Sequence, residues 1–413
     1  MKKTLLFASL FFLLAAKGHA QVGPDITSWI LNPDSLANID TGGNQGYESN
    51  VLLVQYSATK VYVTCNSIAN YAVGPWPGNP NVPAPQYFVC EFPRAPSQDT
   101  AHAIWTYLGP IGLWSNGVAI YNQKDAHYWN NATSTFSMGE DTSGTGWNRN
   151  ALVYEGVSFD NCLGHPDQSG CYHNHVNPKC LYNDADSTHH SPIIGYAFDG
   201  FPIYGAYGYA SAMTPGTIKR MQSSYVLTTD TTRAAGPHPI STYPLGNMCE
   251  DYVYTPGAGD LDRFNGRYCV TPDYPSGTYA YFVTIDASLN PVYPFVLGPK
   301  YYGYPASTHP KNPVIGPDTA YVGTTVVKTP AADIKYQVVP NPVEDYAYVY
   351  MGLNSVNNVK ATLYNMEGRL LKTLDYMQPS MAYTLDMSEL PAGMYIFSLE
   401  GGGKTVTEKI VKK

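Results

Sequence analysis

Charge is what this chain of 413 residues has least of: 14% of it is Asp, Glu, Lys or Arg, and the formal net charge is −8. No cluster of Lys and Arg occurs before a short basic end running from Lys409 to Lys413. Phosphate backbones are held by clustered cations, so nucleic acid is excluded as a partner. Long apolar runs are just as scarce. The longest, Leu5 to Ala16, is far short of the roughly 20 residues that cross a bilayer as a helix. No transmembrane segment is expected. Nucleophile and phosphate-loop motifs are missing too. There is no Gly-x-Ser-x-Gly, no His-Glu-x-x-His and no Walker-type glycine loop, so no reaction can be named from a motif.

Turn formers and aromatics fill the space that charge leaves. The chain has 37 Gly, 33 Pro and 36 Tyr, with 44% hydrophobic residues. Such a composition favours strands and turns over long helices. The expected fold class is mainly β: an irregular, disulfide-containing β-rich region followed by a small C-terminal β-sandwich. Met1 to Ala20 reads as a secretory signal, with Lys2 and Lys3 ahead of the apolar run and Gly18-His19-Ala20 as small residues for cleavage. A β-rich domain is expected over 21–304 and a Pro- and Thr-rich linker over 305–336. The compact final domain is expected over 337–413. There, short strands recur at 347–350, 360–364, 383–386, 393–399 and 404–411, which is sandwich-like spacing.

Earlier in the chain, Val51 to Tyr56 and Lys60 to Cys65 read as strands. The Pro-rich stretch from Val73 to Pro85 reads as a long loop, because proline cannot sit in a helix interior or a central strand. Ile193 to Phe198 and Phe201 to Tyr204 read as the arms of a hairpin turning at Asp199-Gly200. Asp199 is therefore expected as a turn residue. His127 and Asp125 are expected to face water, and Asp262 to pair with Arg267. All seven cysteines lie beyond the signal. An exported chain meets an oxidising compartment, where thiols pair. Proximity suggests Cys65 with Cys90 and Cys249 with Cys269, leaving one odd thiol among Cys162, Cys171 and Cys180.

The chemistry concentrates between Asn161 and Gly205. Five of the ten histidines lie there: His165, His173, His175, His189 and His190. On extended backbone, alternate side chains share a face, so His173 and His175 point to one place. Further ligands can come from His165, or from His189 or His190 after a loop. Neutral imidazole suits Zn or Cu, and three His ligands with an open position make a catalytic type of zinc site. Scattered histidines in an exported loop also simply form hydrogen bonds.

The stretch GHPDQSGCYHNH, followed by HSPIIGYAFDGFPIYG, resembles the YHYH-domain family of secreted bacterial proteins. The naming tetrad corresponds to Tyr172-His173-Asn174-His175, with Asn174 in the place of the second tyrosine. The resemblance extends to GLWSNGVAIYNQKDA near the start and to Asp260–Cys269 near the end. It implies a domain type and a metal or ligand site without giving a reaction. The C-terminal region resembles the type A sorting domain of type IX secretion substrates, through Pro340-Asn341-Pro342, the segment from Tyr364 to Arg369, the segment from Leu390 to Tyr395 and the basic end. This implies the type IX machinery as a partner, a host of the Bacteroidetes type, and release or attachment at the cell surface.

Two readings of function follow. In the first, an exported protein holds a divalent ion, Zn or Cu, through the histidine cluster. In the second, a surface module binds an extracellular glycan, polymer or small molecule on its aromatic side chains without catalysis.

Overall fold

The computed structural model describes residues 23–31, 47, 49–101, 103–233, 236–305, 319–320, 334, 336–339, 341–351, 359–377, 382–401 and 404–413. The expected signal, 1–20, and most of the expected linker, 305–336, lie outside them. The chain is mainly β, with strands joined by long irregular segments and only two short α-helices among the described residues. None of the described helices is long and apolar enough to cross a membrane.

An eight-stranded sheet forms the centre. Its order is Gly266–Cys269, Thr278–Phe282, Pro202–Tyr204, Ile193–Ala197, Pro110–Trp114, Ala119–Tyr121, Tyr172–Asn174 and His165–Pro166. The middle strands are buried along their whole length, as Ile193–Ala197 and Pro202–Tyr204 show. A strand covered on both faces needs a continuous apolar run, which is why Ile193 to Phe198 lacks polar alternation. The hairpin between these two strands turns at Asp199-Gly200 as expected, with Gly200 at a φ of +87° that glycine adopts without steric cost.

Asp199 does more than turn the chain. It is buried, and its carboxylate accepts from the Tyr281 hydroxyl at 2.6 Å, the Gly303 N–H at 2.8 Å and the Phe201 N–H at 3.2 Å. Those bonds tie the hairpin to Thr278–Phe282 and to residues past the last central strand.

A second sheet stacks Val51–Tyr56, Lys60–Cys65 and Phe88–Pro93. Inside the expected linker, Thr319–Ala320 pairs with Tyr56 and Gln55 at its edge. The Pro-rich stretch from Val73 to Pro85 contains no strand, as expected. The sheets share one apolar core that includes Trp29, Phe92, Trp114, Tyr196, Phe198 and Phe282. Near it, Arg233 and Asp251 form a fully buried two-pronged ion pair with both N–O distances 2.7 Å.

The C-terminal region has its own core, built from residues between Ile334 and Ile410. One three-stranded sheet orders Tyr336–Val339, Tyr346–Met351 and Ala382–Asp386. A four-stranded sheet orders Leu370–Met377, Val359–Asn365, Gly393–Gly401 and Lys404–Lys412. Alternating burial along Val359–Asn365 places apolar side chains on the inner face. The five expected strands are present. Leu370–Met377 was not foreseen, because it alternates poorly.

Several expectations are corrected. Cys162 pairs with Cys180, while Cys65, Cys90, Cys171, Cys249 and Cys269 are free and buried. Cys65 and Cys90 lie on paired strands but out of register: Cys65 faces Phe88, and Cys90 faces Val63. Diagonal neighbours in an antiparallel pair are about 7–8 Å apart, beyond disulfide reach. Asp125 does not face water. It is buried against the Arg149 guanidinium, and His127 Nδ1 sits 3.2 Å from its carbonyl. Asp262 does not pair with Arg267; it accepts from the Tyr279 hydroxyl and the Phe264 N–H, while Arg267 donates to the Tyr209 carbonyl.

Candidate metal centre

His173 and His175 sit on and just after the strand Tyr172–Asn174, which runs parallel to Ala119–Tyr121. His165 begins the neighbouring antiparallel strand and lies directly across from His173. Strand pleating sends the three imidazoles to one face, while Tyr172 and Asn174 point to the other. Tyr172 there donates to Asp160, whose carboxylate also accepts from the Trp76 indole N–H and from the N–H groups of Gly74, Cys162 and Gly164. Gly164, just before His165, has no room for a side chain: a Cβ would stand 2.4 Å from the Tyr172 hydroxyl oxygen. Asn174 is fully used. It accepts from the Trp114 indole and donates to the Cys162 and Leu163 carbonyls.

The three rings converge through their Nε2 atoms. His173 Nε2 is 3.1 Å from His165 Nε2 and 3.1 Å from His175 Nε2. All three residues are buried, and their ligand atoms lie within 4.8 Å of one another. Hydrogen-bond accounting fixes the tautomers. His173 Nδ1 faces the Cys171 carbonyl at 2.9 Å, and His175 Nδ1 faces the Asn122 carbonyl. A carbonyl only accepts, so both Nδ1 atoms carry hydrogen. His165 Nδ1 is 2.8 Å from the Ser158 hydroxyl, which spends its own proton on the Glu155 carbonyl at 2.7 Å. His165 Nδ1 therefore carries hydrogen as well. In the neutral rings, three Nε2 lone pairs face one another, an arrangement able to hold a cation.

Electrostatics agree. Burial, and then the neighbouring His175, lower the His165 pKa to about 4. Burial with both neighbours drives His173 well below its ordinary value. Tyr121 stacks on the His173 ring at 3.8 Å, and Phe159 meets His165 edge-on at 4.8 Å.

Glu155, at the end of the short helix Ala151–Tyr154, was not foreseen. Its Oε2 lies 3.1 Å from His175 Nε2 and 3.8 Å from His165 Nε2. That oxygen is buried and, apart from these two approaches to ring nitrogens, has no hydrogen-bond partner among the described residues. Burial raises the Glu155 pKa, but the bond to His175 and the charges of His175 and His165 outweigh it and hold the group below its ordinary value. With its Nδ1 hydrogen committed to Asn122, His175 turns its Nε2 toward this carboxylate. No sequence signal marks Glu155: it is a lone acid at a helix end, ten residues before His165.

The other two candidates lie apart. His189 is exposed, and its Nδ1 pairs with Asp186 at 2.9 Å. The helix-free loop that carries it ends before the chain returns to the sheet. His190 packs its ring among Tyr204, Tyr209 and Phe282 and faces the Ser191 carbonyl. Neither joins the converging group.

Residues 89–293 match the family model described as YHYH protein, and residues 337–413 match the secretion system C-terminal sorting domain. This is a YHYH-domain protein with a sorting tail. The YHYH match spans the whole histidine group and Glu155. The sorting tail directs type IX secretion, to the cell surface or the extracellular space. No curated protein matches the chain. Among solved structures it is similar to dimeric latent PorU from Porphyromonas gingivalis, at 20% identity over 23% of this chain and 10% of that one, with a TM-score of 0.17.

Proposed function

We propose that the YHYH domain is an exported metal-binding unit in which His165, His173 and His175 hold one divalent ion. The observation that carries this is the convergence of three Nε2 lone pairs whose Nδ1 hydrogens are all committed elsewhere. Zn–N bonds of about 2.0–2.1 Å at tetrahedral angles place ligand nitrogens about 3.3 Å apart, close to two of the three separations here, both 3.1 Å, with the third within 4.8 Å. The carbonyl and hydroxyl partners on Nδ1 orient each ring and raise its basicity, as outer partners of metal-bound imidazoles do. Imidazoles with a nearby carboxylate and no thiolate suit Zn²⁺ or Cu²⁺.

When bound, such an ion supplies Lewis acidity and lowers the pKa of a coordinated water. The chain's own contribution is separate. His165 and His173 stay neutral because they are buried, the Tyr121 and Phe159 rings exclude water from two sides, and Glu155 stands beside the group as a proton acceptor or further ligand. Three His ligands and an adjacent carboxylate favour a site with an open position over a closed structural one.

Elemental analysis of the natively secreted protein tests this. About one equivalent of Zn or Cu per chain is expected. The His173→Ala/His175→Ala protein should be exported and folded yet metal-free. Equal metal content in the two proteins would reject the site.

A further inference from the structure

A separate cleft has its own chemistry. Trp105, Tyr225, Tyr254 and Phe264 wall a cavity of about 340 Å³ that Arg263 and Lys300 also line. Lys300 Nζ lies 4.6 Å from the Trp105 ring centroid, and the Arg263 guanidinium lies 5.3 Å from that of Tyr254. Neither cation forms an ion pair among the described residues, and no Asp or Glu lines the cavity. Lys124 makes the contrast. It also approaches Trp105, at 5.6 Å, but Glu140 neutralises it at 2.8 Å. In a chain with a net charge of −8, two cations that form no ion pair on the walls of an apolar cleft make a local positive site, although Asp262 lies close enough to Arg263 to feel its charge.

The walls are held in place before any ligand arrives. Trp105 and Lys300 face each other across a backbone bridge. The Thr106 N–H donates to the Pro299 carbonyl at 2.9 Å, and the Tyr225 hydroxyl donates to the Arg263 carbonyl at 2.7 Å. Rings fixed in this way offer flat faces at little entropic cost. The cavity has the size of a small-molecule site, big enough for one or two rings.

We propose that this cleft binds a ring that carries a carboxylate, either the uronic acid unit of an acidic glycan or an aromatic acid. The ring face stacks on Trp105 and Tyr254, and the carboxylate meets Lys300 and Arg263. Charge-assisted contacts supply selectivity for the acid, and stacking supplies the apolar contribution. The proposal does not depend on the metal reading. Asn122, whose carbonyl accepts from His175, also donates from Nδ2 to the Thr106 carbonyl at 2.7 Å and so links the two regions.

Titration calorimetry of the full chain with four probes tests it: oligogalacturonate, benzoate, a neutral oligosaccharide of equal length, and acetate. Saturable binding of oligogalacturonate or benzoate is expected, and which of the two binds identifies the source. The neutral sugar and acetate should bind at least about tenfold more weakly, the scale of one charged hydrogen bond. Arg263→Gln/Lys300→Gln should lose the acid about tenfold or more while keeping the wild-type melting temperature. Trp105→Ala should weaken binding as well, and His173→Ala should leave it unchanged. Equal binding of the neutral sugar, an unaffected double variant, or no binding of either acid would overturn the proposal.

Discussion

At the scale of the residue, burial decides what the titratable groups do. Asp199 is an example. Its carboxylate is fully enclosed, and burial pushes its pKa up to about 6 against the bonds from Tyr281, Gly303 and Phe201. A carboxyl with a raised folded-state pKa binds its proton more tightly folded than unfolded. Its contribution to stability is therefore complete below about pH 4 and is lost as the pH rises through about 6. The loss is on the order of 3 kcal/mol, at 1.36 kcal/mol per unit. Glu250, raised to about 7 by burial, acts in the same direction. Urea denaturation between pH 4 and pH 6.5 should show the slope, and Asp199→Asn should flatten it. An identical slope in the variant would remove Asp199 as its source.

The histidines show the same influence on ligands. Burial keeps His165 and His173 neutral near pH 7, and a neutral imidazole is the form that binds metal. Here the His-x-His spacing foretold convergence correctly, because strand periodicity depends only on backbone geometry. Glu155, Asn122 and Ser158 gave no such warning. They come from other segments and meet the rings only after the chain has folded.

At the scale of the element, the disulfide and the strand pair frame the site. Cys162 and Cys180 are 18 residues apart, and the loop they close contains His165, His173 and His175. Closing a loop of that length stabilises by about 3 kcal/mol in the chain-entropy account. Cys162→Ser/Cys180→Ser should lower the unfolding free energy by roughly that amount, read from denaturant midpoints, and should weaken metal retention during dialysis. A midpoint within error of the parent would show that the bridge does not hold this loop.

Strands with strong local signals stand where expected: Val51–Tyr56, Lys60–Cys65 and the hairpin at Asp199-Gly200. Phe88–Pro93 and Lys124–Asn130 went unseen. Their own pattern is weak, and pairing with Lys60–Cys65 and with Thr135–Met138 is what makes them strands. The cysteine pairs failed for a related reason. Proximity along the chain says nothing about register, and register kept Cys65 and Cys90 apart.

At the scale of the whole molecule, two apolar cores share no residue. One draws on residues between Ile26 and Tyr301, the other on residues between Ile334 and Ile410. A chain ending at residue 336 should therefore keep the first core, its near-ultraviolet circular dichroism and its metal content, while losing export. Loss of metal on truncation would mean that the sorting tail takes part in the site.

What the sequence alone determined was the class of protein and its destination: a β-rich exported chain, with two histidines aimed at one point and a sorting tail at its end. Composition, strand periodicity and short motifs are local properties, so they survive without coordinates. Only the tertiary structure decided which donors meet. It brought in His165 and Glu155, left His189 and His190 outside, and chose Cys180 for Cys162. Those choices depend on strand order and register, which many weak contacts distant in sequence set together.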